Sequence, residues 1–192
     1  MQRLLKVMVI VLLFAGCSKP DVQEENVLKE NAIYSAPITQ NELTINLYNK
    51  VSEDLENTVS EEELVEDIAR IFAADFYSFK GKVEGQVGGT TYILQEKRVA
   101  AKEYLEFYYY KNLPSILNQY GEDSLPEVKE LVSASPIKTE YEEKDYGKLE
   151  AYDVRLDIAY QETQIPLSSL KTETVITLAK YPDGNYYLVE IK

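Results

Sequence analysis

Residues 60–79 read SEEELVEDIARIFAADFYSF, and the fold is read outward from this stretch. Ser60 is an N-cap, because its hydroxyl can accept from an otherwise unpaired N–H of the first turn. Glu63 stands where it completes a capping box, and Val59 and Leu64 stand where they form a hydrophobic staple. Glu61, Glu62 and Glu63 place negative charge at the positive end of the helix dipole. The apolar residues Leu64, Val65, Ile68, Ile71, Phe72, Phe76 and Phe79 then follow the 3.6-residue period of one helix face. Gly81 is the expected stop. Asp75 is the one charged residue read on this apolar stripe. Either it reaches past the core edge to water or to a lysine or arginine, or it faces a pocket with a perturbed pKa. An interior, unpaired carboxylate costs several kcal/mol, so a buried Asp75 requires a partner.

The flanking segments read as further helices. Leu43, Leu47, Val51, Leu55 and Val59 recur every four residues, which predicts a helix over 39–58 with Thr39 and Glu42 as its capping box. A short strand through Leu43, Ile45 and Leu47 is the competing reading of residues 40–57. Residues 81–91, GKVEGQVGGTT, are a glycine-rich turn or loop with neither phosphate-binding glycine spacing. A loop bordering a pocket mouth is compatible with it. Residues 96–111, EKRVAAKEYLEFYYYK, read as a third helix with Ala100, Tyr104, Phe107 and Tyr108 on one face. This face is expected to pack on the core with its hydroxyls at the boundary, or else to line a tyrosine-rich pocket or partner surface. Pro114 breaks that helix, and 115–120 is one more helical turn.

From Ile137 onward the period changes to two. Strands are expected over 137–146, 149–161, 172–181 and 186–191, joined in part by tight turns at Tyr146-Gly147-Lys148 and Pro182-Asp183-Gly184-Asn185. Tyr152, Val154, Leu156, Ile158 and Tyr160 alternate with mostly polar residues, as in a half-buried antiparallel strand. The acidic run KTEYEEKD suits a protected edge. Helices followed by an antiparallel meander make the fold class α+β, with N-terminal helices packed on a curved antiparallel sheet.

The chain begins MQRLLKVMVIVLLFAGCSKP. A basic start, a short apolar run and small residues before Cys17 have the anatomy of a secretory signal. Phe14-Ala15-Gly16-Cys17 resembles a bacterial lipobox. That resemblance implies cleavage before Cys17, a lipid on its thiol, and a protein held on the extracytoplasmic side of the cell membrane. Two acyl chains suffice for stable anchoring. The expected organisation is a signal peptide over 1–16, a lipidated N-terminus and flexible tether over 17–36, and one α+β domain over 37–192. A coil of that tether's length spans roughly 25 Å.

The net charge is −13, and losing Arg3 and Lys6 with the signal makes it two units more negative. That acidity argues against nucleic acid as a partner. The chain has no histidine, and Cys17 is its single cysteine. Histidine-dependent nucleophilic sites and intramolecular disulfides are therefore excluded. No D-x-D-x-D-G calcium loop is present, and no cofactor or metal is expected.

The order helix, glycine loop, helix, meander resembles the nuclear transport factor 2-like, cystatin-like cone fold. The runs ADFYSFKGK and VGGTTYI also resemble extracytoplasmic lipoproteins of Gram-positive bacteria. This resemblance implies a cavity between sheet and helices, for which Asp75, Phe72, Tyr104 and Tyr108 are the candidate lining. The functional expectation is a lipid-anchored binding or assembly protein that takes a protein partner or a small apolar ligand. The alternatives are an isomerase-type enzyme with Asp75 as base and Tyr104 or Tyr108 as oxyanion donor, and a structural envelope component.

Overall fold

The computed structural model describes residues 27–192. Cys17, the signal segment and the first part of the tether lie outside the described residues. Two helices, α1 (Glu42–Asn57) and α2 (Glu61–Tyr77), pack on each other, and α2 also lies on a five-stranded antiparallel sheet. Being covered on both sides, α2 is buried over most of its circumference. Ile68, Ile71, Phe72 and Phe76 are in the core, and so are Ala69, Ala73 and Ala74. The alanines let neighbouring elements approach closely, while each buried phenylalanine or isoleucine contributes about 1.5–3 kcal/mol.

Both helices start on side-chain caps. Ser60 accepts from the Glu63 N–H at 3.2 Å. The Glu63 carboxylate turns to Lys50 on α1, at 2.9 Å, so the expected box has its Ser60 half. In α1 the expected Thr39–Glu42 box gives way to one between Asn41 and Thr44. Thr39 is instead engaged by Asp75, as described below. Residues 40–57 thus resolve in favour of helix. The C-terminus of α2 comes at Tyr77, four residues before Gly81, because Ser78 is extended and its hydroxyl accepts from the Val128 N–H.

Part of the expected tether is docked on the domain. Asn31 Oδ1 accepts from the N–H groups of Ile33 and Tyr34. Tyr34 is buried, with its hydroxyl donating to the Tyr186 carbonyl at 2.6 Å and its ring 5.1 Å from that of Tyr92. Residues 27–36 therefore belong to the folded unit: Tyr34 buries an aromatic ring that a free tether would leave in water.

After α3 (Arg98–Leu105) the backbone widens into a π-helical turn over Glu106–Tyr110, and α4 (Leu113–Tyr120) starts with Pro114 in its first turn. The strands are β1 (Val128–Ser133), β2 (Ile137–Glu143), β3 (Gly147–Tyr160), β4 (Glu173–Lys180) and β5 (Tyr186–Ile191). The long β3 is central. Its first half pairs with β2 and its second half with β1 along one edge, and β4 pairs along the other, with Tyr152 opposite Leu178. β5 follows β4, and among the described residues no strand pairs with the far edge of β5. The α+β class with helices on a curved antiparallel sheet is as expected, with β1 as a fifth strand.

Candidate functional site

Asp75 is 1% exposed. Oδ1 accepts from the Thr39 N–H at 2.8 Å, and Oδ2 accepts from the Gly89 N–H at 2.7 Å and the Ile38 N–H at 3.2 Å. The ammonium of Lys82 lies 3.5 Å from Oδ1. That ammonium also donates to the Thr39 hydroxyl at 2.6 Å and to the carbonyls of Asp75 and Ser78. Lys82 thereby caps the open C-terminal carbonyls of α2 from inside the protein. Its burial pulls its pKa down to about 8, against the opposing pull of Asp75. Asp75 is thus a junction that ties the chain before α1 and the glycine loop to the end of α2.

The glycine loop has the corresponding close approach. A Cβ on Gly88 would collide with the Asp75 carbonyl, and one on Gly89, whose φ is +73°, would collide with the Phe72 ring. The glycines let the loop lie directly on α2, with its backbone pointing donors at Asp75. They cover the carboxylate and do not form a pocket mouth around it.

The proposed lining of Asp75, Phe72, Tyr104 and Tyr108 is not brought together. Phe72 is in the core beneath Gly89, while Tyr104 and Tyr108 are each 58% exposed. The buried side of α3 runs through Leu105 with Ala101 half-buried, which leaves Ala100 and Tyr104 off it before the π-helical turn begins. One extra residue in the turn shifts the helical phase, so Tyr110 points inward and Phe107 and Tyr108 point outward. The Tyr110 hydroxyl donates to the Phe76 carbonyl. Tyr104 and Tyr108 pack with tilted rings, centroids 4.4 Å apart, and the Lys111 ammonium lies 4.9 Å from the Phe107 ring centroid.

An open groove of about 430 Å³ lies between α3 and β5. Its apolar walls include Ile93, Leu94, Leu105 and Leu188, with Tyr104 at the rim. Its polar lining includes Lys97, Glu143, Tyr181 and Glu190. Lys97 and Glu143 form an ion pair, and the Tyr181 hydroxyl lies 3.2 Å from Glu143 Oε2. The Lys97 ammonium holds the Glu143 carboxyl below its usual range, and burial beside that carboxylate pushes the Tyr181 hydroxyl upward. Lys97 remains one-third exposed, so the pair borders solvent. The groove combines apolar walls with the bonded Lys97–Glu143–Tyr181 cluster, and its volume is in the range of small-molecule sites.

Of the candidate lining residues only Tyr104 belongs to this groove. Sequence reading missed Lys97, Glu143 and Tyr181. Tyr141 and Glu143 alternate on one face of β2 within the acidic run KTEYEEKD, and that alternation is the signal for them in the sequence. No family model matches the chain, and no curated protein or solved structure gives a significant match.

Proposed function

We propose that this chain is a lipid-anchored extracytoplasmic binding protein that holds a small, mostly apolar ligand with a polar end. The observation that carries the reading is the groove between α3 and β5, whose lining joins apolar Leu94, Leu105 and Leu188 to the bonded cluster of Lys97, Glu143 and Tyr181. The apolar body of the ligand lies along α3. Its polar end exchanges hydrogen bonds with the Lys97–Glu143 pair, whose solvent-facing side retains bonding capacity. The lipobox-like run Phe14-Ala15-Gly16-Cys17 supports anchoring through Cys17, with the domain facing away from the cytoplasm. Among the described residues no helix is long and apolar enough to cross a membrane.

The seat of Asp75 speaks against an enzymatic reading. A general base must come within hydrogen-bonding reach of a substrate proton, and both Asp75 oxygens are already held by backbone donors, with Lys82 beside Oδ1.

The test of the groove uses N-phenyl-1-naphthylamine, a neutral apolar fluorophore, with the chain from residue 18 onward. Saturable enhancement that disappears in Ala101→Trp, where the larger side chain fills the groove, supports the reading. No enhancement, or equal enhancement in both proteins, contradicts it. Anchoring is tested by Cys17→Ser, which should leave an uncleaved precursor or release the protein. A processed, membrane-bound Cys17→Ser protein contradicts lipidation there.

A further inference from the structure

The contact between α1 and α2 holds a group of carboxylates unrelated to the groove. Asp54 on α1 and Asp67 on α2 are 3% and 5% exposed, and Glu63 on α2 stands beside them at the surface. One carboxylate oxygen from each lies within 4.8 Å of the other two. Two oxygens bound to one calcium ion at about 2.4 Å are at most about 4.8 Å apart, so these oxygens are spaced as ligands of a single ion.

A second observation points the same way. Asp54 Oδ2 is buried without a hydrogen-bond partner. The Asp54 carboxylate instead has another carboxylate beside it, that of Asp67. Two buried carboxylates that face each other with an unsatisfied oxygen carry a large desolvation and repulsion cost, which a cation relieves.

Two side-chain cations face the group. Arg70 on α2 reaches Asp67 Oδ1 at 3.4 Å. Lys50 on α1 bonds to Asp54 Oδ1, lies 2.9 Å from Glu63 Oε1, and lies 3.7 Å from Asp67 Oδ2. The Lys50 ammonium therefore sits among the same three carboxylates. Its side chain is 42% exposed and can swing into water.

We propose that Asp54, Glu63 and Asp67 form a calcium site at the α1–α2 junction, where Ca²⁺ and the Lys50 ammonium compete for the same carboxylates. The donors are all carboxylate oxygens, which select a hard cation. Calcium accepts irregular oxygen sets at 2.3–2.6 Å, whereas magnesium demands near-octahedral geometry at about 2.0–2.1 Å. Exposed Glu63 lies on the side from which water completes the shell. Bound calcium neutralises the facing carboxylates and ties α1 to α2. This inference is independent of the groove.

The experiment titrates CaCl₂ into the chelator-treated chain from residue 18 onward, by calorimetry and by thermal melting. The expected result is saturable one-to-one heat and a raised Tm that NaCl of equal ionic strength does not reproduce. Lys50→Met removes the competing ammonium and should tighten binding by about tenfold. Asp67→Asn should abolish binding, and Glu63→Gln, at an exposed position, should weaken it even if the buried variant fails to fold. No calcium heat in either the parent or Lys50→Met overturns the proposal. So does binding that Lys50→Met weakens, or binding that survives both carboxylate substitutions.

Discussion

The seat of Asp75 and the α3–β5 groove use the same side-chain chemistry to opposite ends. Each brings together a carboxylate and a lysine. At Asp75 three backbone N–H groups and Lys82 converge on the carboxylate, and the pair is sealed from solvent. At Glu143 the lysine is one-third exposed and apolar walls lead away from the pair. A buried charge is therefore not by itself a sign of function. What separates the two is whether bonding capacity remains for something that is not part of the protein.

Substitutions at the two regions should separate accordingly. Asp75→Ala should cost about 3–5 kcal/mol, because it strands buried Lys82 and three backbone donors. Chemical denaturation checks this, and a loss below 1 kcal/mol would make the junction dispensable. Gly89→Ala should cost about 2 kcal/mol, since it adds a Cβ against Phe72 at a positive φ.

Lys82 makes a pH-dependent contribution. Its pKa is lowered in the folded state from 10.5 to about 8, so between those values the unfolded chain binds more protons. Its contribution to stability is present above 10.5 and is lost as pH falls through about 8. Lys82→Met should flatten that part of the stability profile relative to the parent. Equal slopes in the two proteins would remove Lys82 as the cause.

In the groove the effects should fall on binding. Tyr104→Ser should change stability by no more than about 0.5 kcal/mol while weakening N-phenyl-1-naphthylamine binding about fivefold. Tyr108→Ser should leave that binding unchanged, because Tyr108 is not among the groove residues. Equal effects from the two substitutions would place the probe on the exposed aromatic face.

The parts of the fold legible in the sequence are those governed by local signals. Ser60 and the stripe from Leu64 to Phe76 mark α2 without reference to the rest of the chain. Alternation along 152–160 and the Pro182–Asn185 turn do the same for β3, β4 and β5. β1 was invisible because a bulge between Val128 and Glu130 breaks its alternation. On α3 the inward side runs through Ala101 and Leu105, one position beyond Ala100 and Tyr104, and over residues 106–110 the π-helical turn shifts the phase again, which a fixed 3.6 period does not anticipate.

The choice between the two roles of Asp75 depended on contacts distant in sequence. Its donors come from residues 36 and 37 positions before it and 14 after it, so helical periodicity could mark the residue but not its role. Asp54 and Asp67 escaped notice for a related reason. Each looks like an ordinary surface acid on its own helix, and only the packing of α1 on α2 buries them against each other.

The binding role assigned to the groove is tested most directly by native mass spectrometry of residues 18–192, recovered from the producing organism under non-denaturing conditions. The parent and Ala101→Trp are compared. The account predicts a noncovalent adduct on the parent that leaves on denaturation and is missing from Ala101→Trp. A bare polypeptide mass for both proteins, or the same adduct on both, contradicts it.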